Sequence, residues 1–170
     1  MDIAKAQQAL KTIGVLGGMG PAASADFYRR VIEVAQRDYH AEQDTDFPPM
    51  VIYSMPLVGF DETGFADVEG IRAQLISGVQ KLEKAGSEFI VIPCNTVHAF
   101  YADMQASVGI PIISIIEVTV RAVEQGGYQK VGLMSSESTR KTGLYENALT
   151  RQGITTVLAT DIEQQEINKI

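Results

Sequence analysis

A thiol, an amide, a hydroxyl and an imidazole fall within one short stretch, Cys94-Asn95-Thr96-Val97-His98, directly after the apolar run Phe89-Ile-Val-Ile-Pro93. A cysteine serving only as core filler belongs inside such a run. This one follows proline and precedes two residue types that favour turns and helix caps. Free cysteine is also among the most buried residue types, so on this segment alone a packing role and a chemical role both stand. If a helix starts here, its N-terminal amides and dipole lower the thiol pKa from about 8.5 and bring a thiolate within reach of neutral pH. His98, one turn further on, reads as a solvent or packing residue. Two histidines and one cysteine at these spacings make no recognisable zinc site.

Three other segments carry polar or glycine-rich chemistry. Gly17-Gly-Met-Gly-Pro21 lies between a strand and a helix, where backbone amides crowd at an anion-favouring N-terminus and Pro21 suits the first turn. Gly18, Gly20 and Ala23 formally satisfy a GxGxxA dinucleotide fingerprint, so a nucleotide-binding domain is one alternative and a plain tight turn is another. The fingerprint wants an acid at the end of the second strand, and Met50–Ser54 is followed instead by Met55-Pro56. The loop Ser54–Thr63 offers Asp61 and Glu62, either as contacts to a substrate ammonium or as solvated acids. Met134-Ser-Ser-Glu-Ser-Thr139 clusters hydroxyls that serve as helix caps or bind a carboxylate.

The elements that must position these loops alternate. Strands are expected at Ile13–Leu16, Met50–Ser54, Phe89–Ile92, Ile110–Ile115, Lys130–Met134 and Ile154–Leu158. Between them lie helices: one with Phe27, Val31, Val34 and Ala35 on a face, Gly70–Ala85 closed by Gly86, His98–Ser107, Val118–Gln125, and one near Thr142–Arg151. Asp161-Ile-Glu-Gln164 reads as a cap with its N3 glutamine, opening a last helix with Ile162, Ile167 and Ile170 as its apolar face. Such alternation implies an α/β fold with parallel sheets flanked by helices on both faces. Residues 1–11 form an N-terminal tail, 12–116 a first lobe and 117–170 part of a second. Two or three strands are too few to make a covered parallel sheet, so the second lobe reads as truncated or dependent on a partner.

Composition narrows the function classes. The 45% apolar content supports a globular core, and a net charge of −7 without a basic stripe argues against nucleic acid. One cysteine makes no internal disulfide, and no apolar stretch has the length of a membrane span, so a reducing cytoplasm is expected.

Taken together, Ile13-Gly-Val-Leu-Gly-Gly-Met-Gly-Pro21, Pro93-Cys-Asn-Thr-Val-His98, Ile110-Pro-Ile-Ile-Ser114 and Thr142-Gly-Leu-Tyr145 resemble the aspartate/glutamate racemase superfamily, aspartate racemase branch, over residues 12–170. The resemblance implies two similar α/β lobes with the active site between them and a homodimer. It also implies racemisation of an amino acid without pyridoxal phosphate or any other cofactor. One cysteine thiolate removes the α-proton and a second cysteine, from the other lobe, serves the opposite face. Cys94 matches the first of these. Asn95 and Thr96 match substrate-binding residues, Met19 lies in the cleft-lining loop, and Ser136 and Thr139 correspond to the second lobe's carboxylate-binding turn. The sequence departs from the pattern in three places. It has no second cysteine, it shows Asp61-Glu62 where aspartate racemases present an Asp-Arg pair, and it has Gln165 where they often place a lysine. The last two leave aspartate in doubt as the substrate. The competing class is a non-catalytic small-carboxylate-binding or regulatory module that keeps half the cleft.

Overall fold

The computed structural model describes residues 10–61 and 64–169. Of the expected tail only Leu10 and Lys11 lie among the described residues, and Glu62 and Ile170 lie outside them. The first strand, β1 (Ile13–Gly17), is buried along its whole length. That is the signature of an interior strand in a parallel sheet covered on both faces. β2 (Met50–Ser54) pairs on one side and β5 (Phe89–Val91) on the other, with β6 (Ile112–Ile113) beyond, giving the parallel order β2-β1-β5-β6. The register puts Val15 opposite both Ile52 and Val91.

Two long helices make the crossovers. α1 (Pro21–Tyr39) begins on proline, whose missing N–H costs nothing in a first turn. α2 (Val68–Lys84) begins where the Asp67 side chain accepts the Gly70 N–H at 2.9 Å, and Gly86 follows its end in the left-handed conformation. Its stripe Ile71, Leu75, Val79 and Leu82 is fully buried and packs with Leu16, Ile90, Met104 and Ile112 into the first core. Between β2 and α2 the chain forms a small antiparallel hairpin, β3 (Phe60–Asp61) with β4 (Gly64–Phe65), where the sequence suggested only a loop.

A turn of 3-10 helix (Thr96–Phe100) leads from the cysteine segment into α3 (Tyr101–Ala106). After β6 come α4 (Ile115–Gln125), β7 (Lys130–Leu133), α5 (Glu137–Thr142), α6 (Leu144–Arg151), β8 (Thr155–Leu158) and α7 (Asp161–Ile167). β7 and β8 form a separate two-stranded parallel sheet. Ile116, Val120, Tyr145, Ala148, Leu149 and Ile154 build a second core.

Five expectations need correction. The strand expected at Ile110–Ile115 is confined to Ile112–Ile113. Ser114 caps a helix that starts at Ile115 instead of Val118, its Oγ accepting the Glu117 N–H at 3.3 Å. The helix expected from Thr142 to Arg151 is two helices, because Gly143 adopts φ +62° and closes α5 before α6 begins. The cap of the last helix is Thr160, one residue earlier than expected, in a reciprocal capping box with Glu163. The buried face of that helix is polar. Gln164 is buried and donates Nε2–H to the Ser135 carbonyl at 2.9 Å, whereas Ile162 is 77% exposed. Among the described residues no helix is long and apolar enough to cross a membrane.

Candidate active site

The loops that leave the C-terminal ends of β1, β2, β5 and β7 face a common cleft of about 720 Å³. This is where open parallel sheets place their ligands. Gly18, Met19 and Gly20 come from the first loop, Leu57, Phe60 and Asp61 from the second, Pro93 to Thr96 from the third, and Met134 to Thr139, Glu137 excepted, from the fourth. α4 and α6 add Thr119, Val123, Tyr145 and Leu149, and Ala23 of α1 and Val131 to Leu133 of β7 complete the lining.

The glycine loop is shaped by packing and by one serine. Gly18 has φ +94°, and a Cβ there would lie 2.5 Å from the Met55 carbonyl oxygen. Only glycine permits that approach. The Gly18 N–H donates to Ser24 Oγ at 2.9 Å, and Ser24 donates in turn to the Gly20 carbonyl at 3.3 Å. An amide that a phosphate cradle would use is therefore spent inside the loop. This weakens the dinucleotide alternative, as does the absence of an acid at the end of β2.

Cys94 is half-buried at the edge of the first core. Burial pushes its thiol above the ordinary value, while the N–H groups of Val97 and Thr96 pull the other way and lose. The expectation of a thiol depressed by a helix N-terminus is thus corrected. The segment that follows is a short 3-10 turn, and desolvation outweighs its amides. A buried thiol that is reluctant to ionise becomes a strong base once ionised, because the same desolvation leaves the thiolate unsatisfied.

His98 is neither a solvent residue nor a ligand. It is buried, and its Nδ1 lies 2.8 Å from the Cys94 carbonyl oxygen. Its Nε2 accepts the Ile115 N–H at 3.2 Å, so Nδ1 carries the proton and donates. The ring stacks parallel to Tyr101, and burial holds its pKa below the ordinary value. A neutral imidazole therefore ties the cysteine turn to the first turn of α4. Only the spacing of four residues hinted at this in the sequence.

Thr96 and Thr139 do meet, but on each other. Both are buried and their hydroxyl oxygens are 2.6 Å apart, with Ser138 Oγ 3.5 Å from Thr96. Ser136 caps α5, accepting the Thr139 N–H at 3.3 Å, and donates to Thr139 Oγ1 at 3.1 Å. Asn95 is exposed, and its Oδ1 accepts the Tyr145 hydroxyl at 2.6 Å. Met19 is nearly buried in the cleft wall. Leu57 and Phe60, which the sequence did not single out, form an apolar wall. Their loop is pinned by Gln74, which both accepts the Val58 N–H and donates to the Val58 carbonyl at 3.0 Å. Phe65 then packs Phe60 at 5.6 Å and Phe100 edge-on at 5.1 Å. Among the described lining residues the only charged side chain is Asp61; no Lys, Arg or His is present.

Comparison with known proteins agrees with this arrangement. Residues 16–170 match the family Asp/Glu/Hydantoin racemase. The chain is 34% identical over 158 residues to the broad specificity amino-acid racemase RacX of Bacillus subtilis, spanning 93% of this chain and 68% of that protein. The structure superposes on an aspartate racemase homologue from Pyrococcus horikoshii OT3 with TM-score 0.80 at 30% identity, covering 95% of this chain and 70% of that one. It superposes on the Picrophilus torridus aspartate racemase with TM-score 0.78 at 27% identity, covering 94% and 65%. The chain is therefore shorter than the relatives it matches, and it belongs to the Asp/Glu/hydantoin racemase family.

Proposed function

We propose that this protein is a cofactor-independent amino-acid racemase in which Cys94 transfers the α-proton on one face of the substrate. The observation that carries the reading is the position of the sole thiol, in a cleft where the strand-end loops of the first unit meet the hydroxyl turn of the second. α-Proton exchange needs a positioned base whose pKa approaches that of the carbon acid, and burial moves the thiol in that direction. Asn95, Met19, Thr96, Ser136 and Thr139 shape the site, with Asn95 in direct reach of a substrate. Thr96 and Thr139 act by holding the two walls together. On this reading residues 12–116 and 117–170 are one lobe and part of a second, and the opposite face of the substrate is served by a group outside these 170 residues. The family pattern supports a cytoplasmic homodimer.

The lining supports a substrate whose side chain is not anionic. Met19, Leu57 and Phe60 are apolar, and the described lining residues include no cation to pair with a side-chain carboxylate. Neutral or cationic amino acids fit; aspartate does not. The test is α-proton exchange in deuterated water with lysine, methionine and aspartate, comparing the protein with Cys94→Ala. Exchange of lysine or methionine, lost in the variant, is expected. Exchange of aspartate alone contradicts the substrate class.

A second reading is favoured by the single thiol itself: a module that binds a small carboxylate without chemistry. Binding of the same amino acids with no exchange by the protein would establish it.

A further inference from the structure

The bond between Tyr145 and Asn95 takes no part in proton transfer, yet it decides what the cleft presents to a ligand. Tyr145 belongs to α6, and its ring is buried in the second core. Asn95 follows Cys94 and is exposed to the cleft. A primary amide offers one acceptor oxygen and two N–H donors, and its terminal torsion is broad and nearly two-fold, so a free asparagine presents either end. Here the oxygen is taken at 2.6 Å by the tyrosine hydroxyl. The end left for the cleft is the NH2 group.

That choice matters because of the charge around it. The described lining residues include no cation that could attract a carboxylate. Among these residues recognition falls to neutral donors, and a carbonyl oxygen turned toward an incoming carboxylate would repel it. We propose that Tyr145 is a positioning residue that reaches across from the second unit and fixes the Asn95 amide with both N–H donors toward the ligand carboxylate. The proposal rests on the reading of the cleft as an amino-acid site. The neighbouring Thr96–Thr139 contact at 2.6 Å holds the same two walls, so the tyrosine meets Asn95 at a fixed seam.

The test pairs two small changes. Tyr145→Phe removes one oxygen and keeps the ring in the core. Asn95→Asp keeps an acceptor for Tyr145 and removes both donors. The two variants and the unaltered protein are titrated with L-methionine and L-lysine by thermal shift, and α-proton exchange kinetics are measured in parallel. Tyr145→Phe is expected to raise KM, and the dissociation constant from thermal shift, by about tenfold, the scale of one hydrogen bond, with kcat changed less than about twofold. Asn95→Asp is expected to abolish the ligand-induced shift while melting normally without ligand. A lower melting temperature in Tyr145→Phe with unchanged KM and affinity reduces the tyrosine to packing and overturns the proposal. So does an Asn95→Asp protein that binds methionine as well as the unaltered one. If the unaltered protein binds the amino acids without exchanging protons, the catalytic reading fails and the affinities alone decide this one; if it binds neither, both fall.

Discussion

The two sheets repeat one local plan, a strand followed by a polar turn and a helix, and differ in how completely they are covered. β1 is buried from end to end between β2 and β5, with α2 fully buried along its inner stripe. In the second unit β7 pairs, among the described residues, with β8 alone, and no residue of either strand is fully buried. Parallel strands are stable when both faces are covered, so the first sheet has a covered central strand and the second has none. The lesson concerns the cleft. Its thiol stands on the side with the covered strand, and its hydroxyl wall stands on the less covered side, joined to the first by the side-chain bonds Thr96 to Thr139 and Asn95 to Tyr145.

The contrast can be broken most directly in the cores. Leu75→Ala, in the larger first core, is expected to cost about 4 kcal/mol in urea unfolding, and Leu149→Ala in the smaller second core about 2 kcal/mol, because Leu149 also lines the cleft and its neighbours can relax into the space left. Equal losses would mean that the two units are equally packed. Next comes Thr139→Val, which takes from the buried Thr96 hydroxyl its 2.6 Å partner and leaves Ser138 Oγ at 3.5 Å, at a cost of about 1–3 kcal/mol. Hydrogen exchange should then quicken at β7 and β8 while the amides of α2 stay protected. Uniform quickening would show that the seam holds the whole molecule and not just its weaker half.

A third, smaller effect follows from His98. Burial lowers its folded pKa, so the unfolded chain binds the extra proton first. Stability is therefore fully present above the ordinary value of 6.5 and is lost as pH falls from there toward the lower folded value. His98→Leu should flatten that acid limb in urea titrations between pH 7 and 5, and an unchanged limb would rule out His98 as its source. The smallest change concerns the surface pair Arg140–Asp161 at 3.2 Å, whose aspartate is almost fully exposed. Asp161→Asn should move stability by less than about 1 kcal/mol, and a larger loss would show that α7 is held more firmly than its exposure indicates.

The parts of this structure that depend on local chemistry were legible in the sequence. The α2 stripe, the Gly86 stop and the alternation of strands and helices follow from spacing and turn residues, and they place each of the four loops at the C-terminal end of its strand. The cysteine turn was legible for the same reason. What escaped depends on partners far along the chain. Two-residue strands such as β3 and β4 carry no periodicity, and a glycine in a helical pattern does not announce that it will take φ +62°. His98 acquires its role only when Ile115 N–H arrives beside it, and Tyr145 only when α6 meets Asn95. The thiol misled in an instructive way. The turn residues around Cys94 advertise helix amides that lower a pKa, whereas the burial that raises it is decided by residues from several other elements.

The central claim is that Cys94 exchanges the α-proton on one face of an amino acid whose side chain is not anionic. Its most direct test follows loss of the α-proton resonance by NMR in deuterated water, for L- and D-methionine separately, with the unaltered protein and Cys94→Ala. The account predicts exchange from one enantiomer by the 170-residue chain, without inversion, and none by Cys94→Ala. Undiminished exchange in that variant, or efficient inversion of methionine by the chain alone, would contradict it.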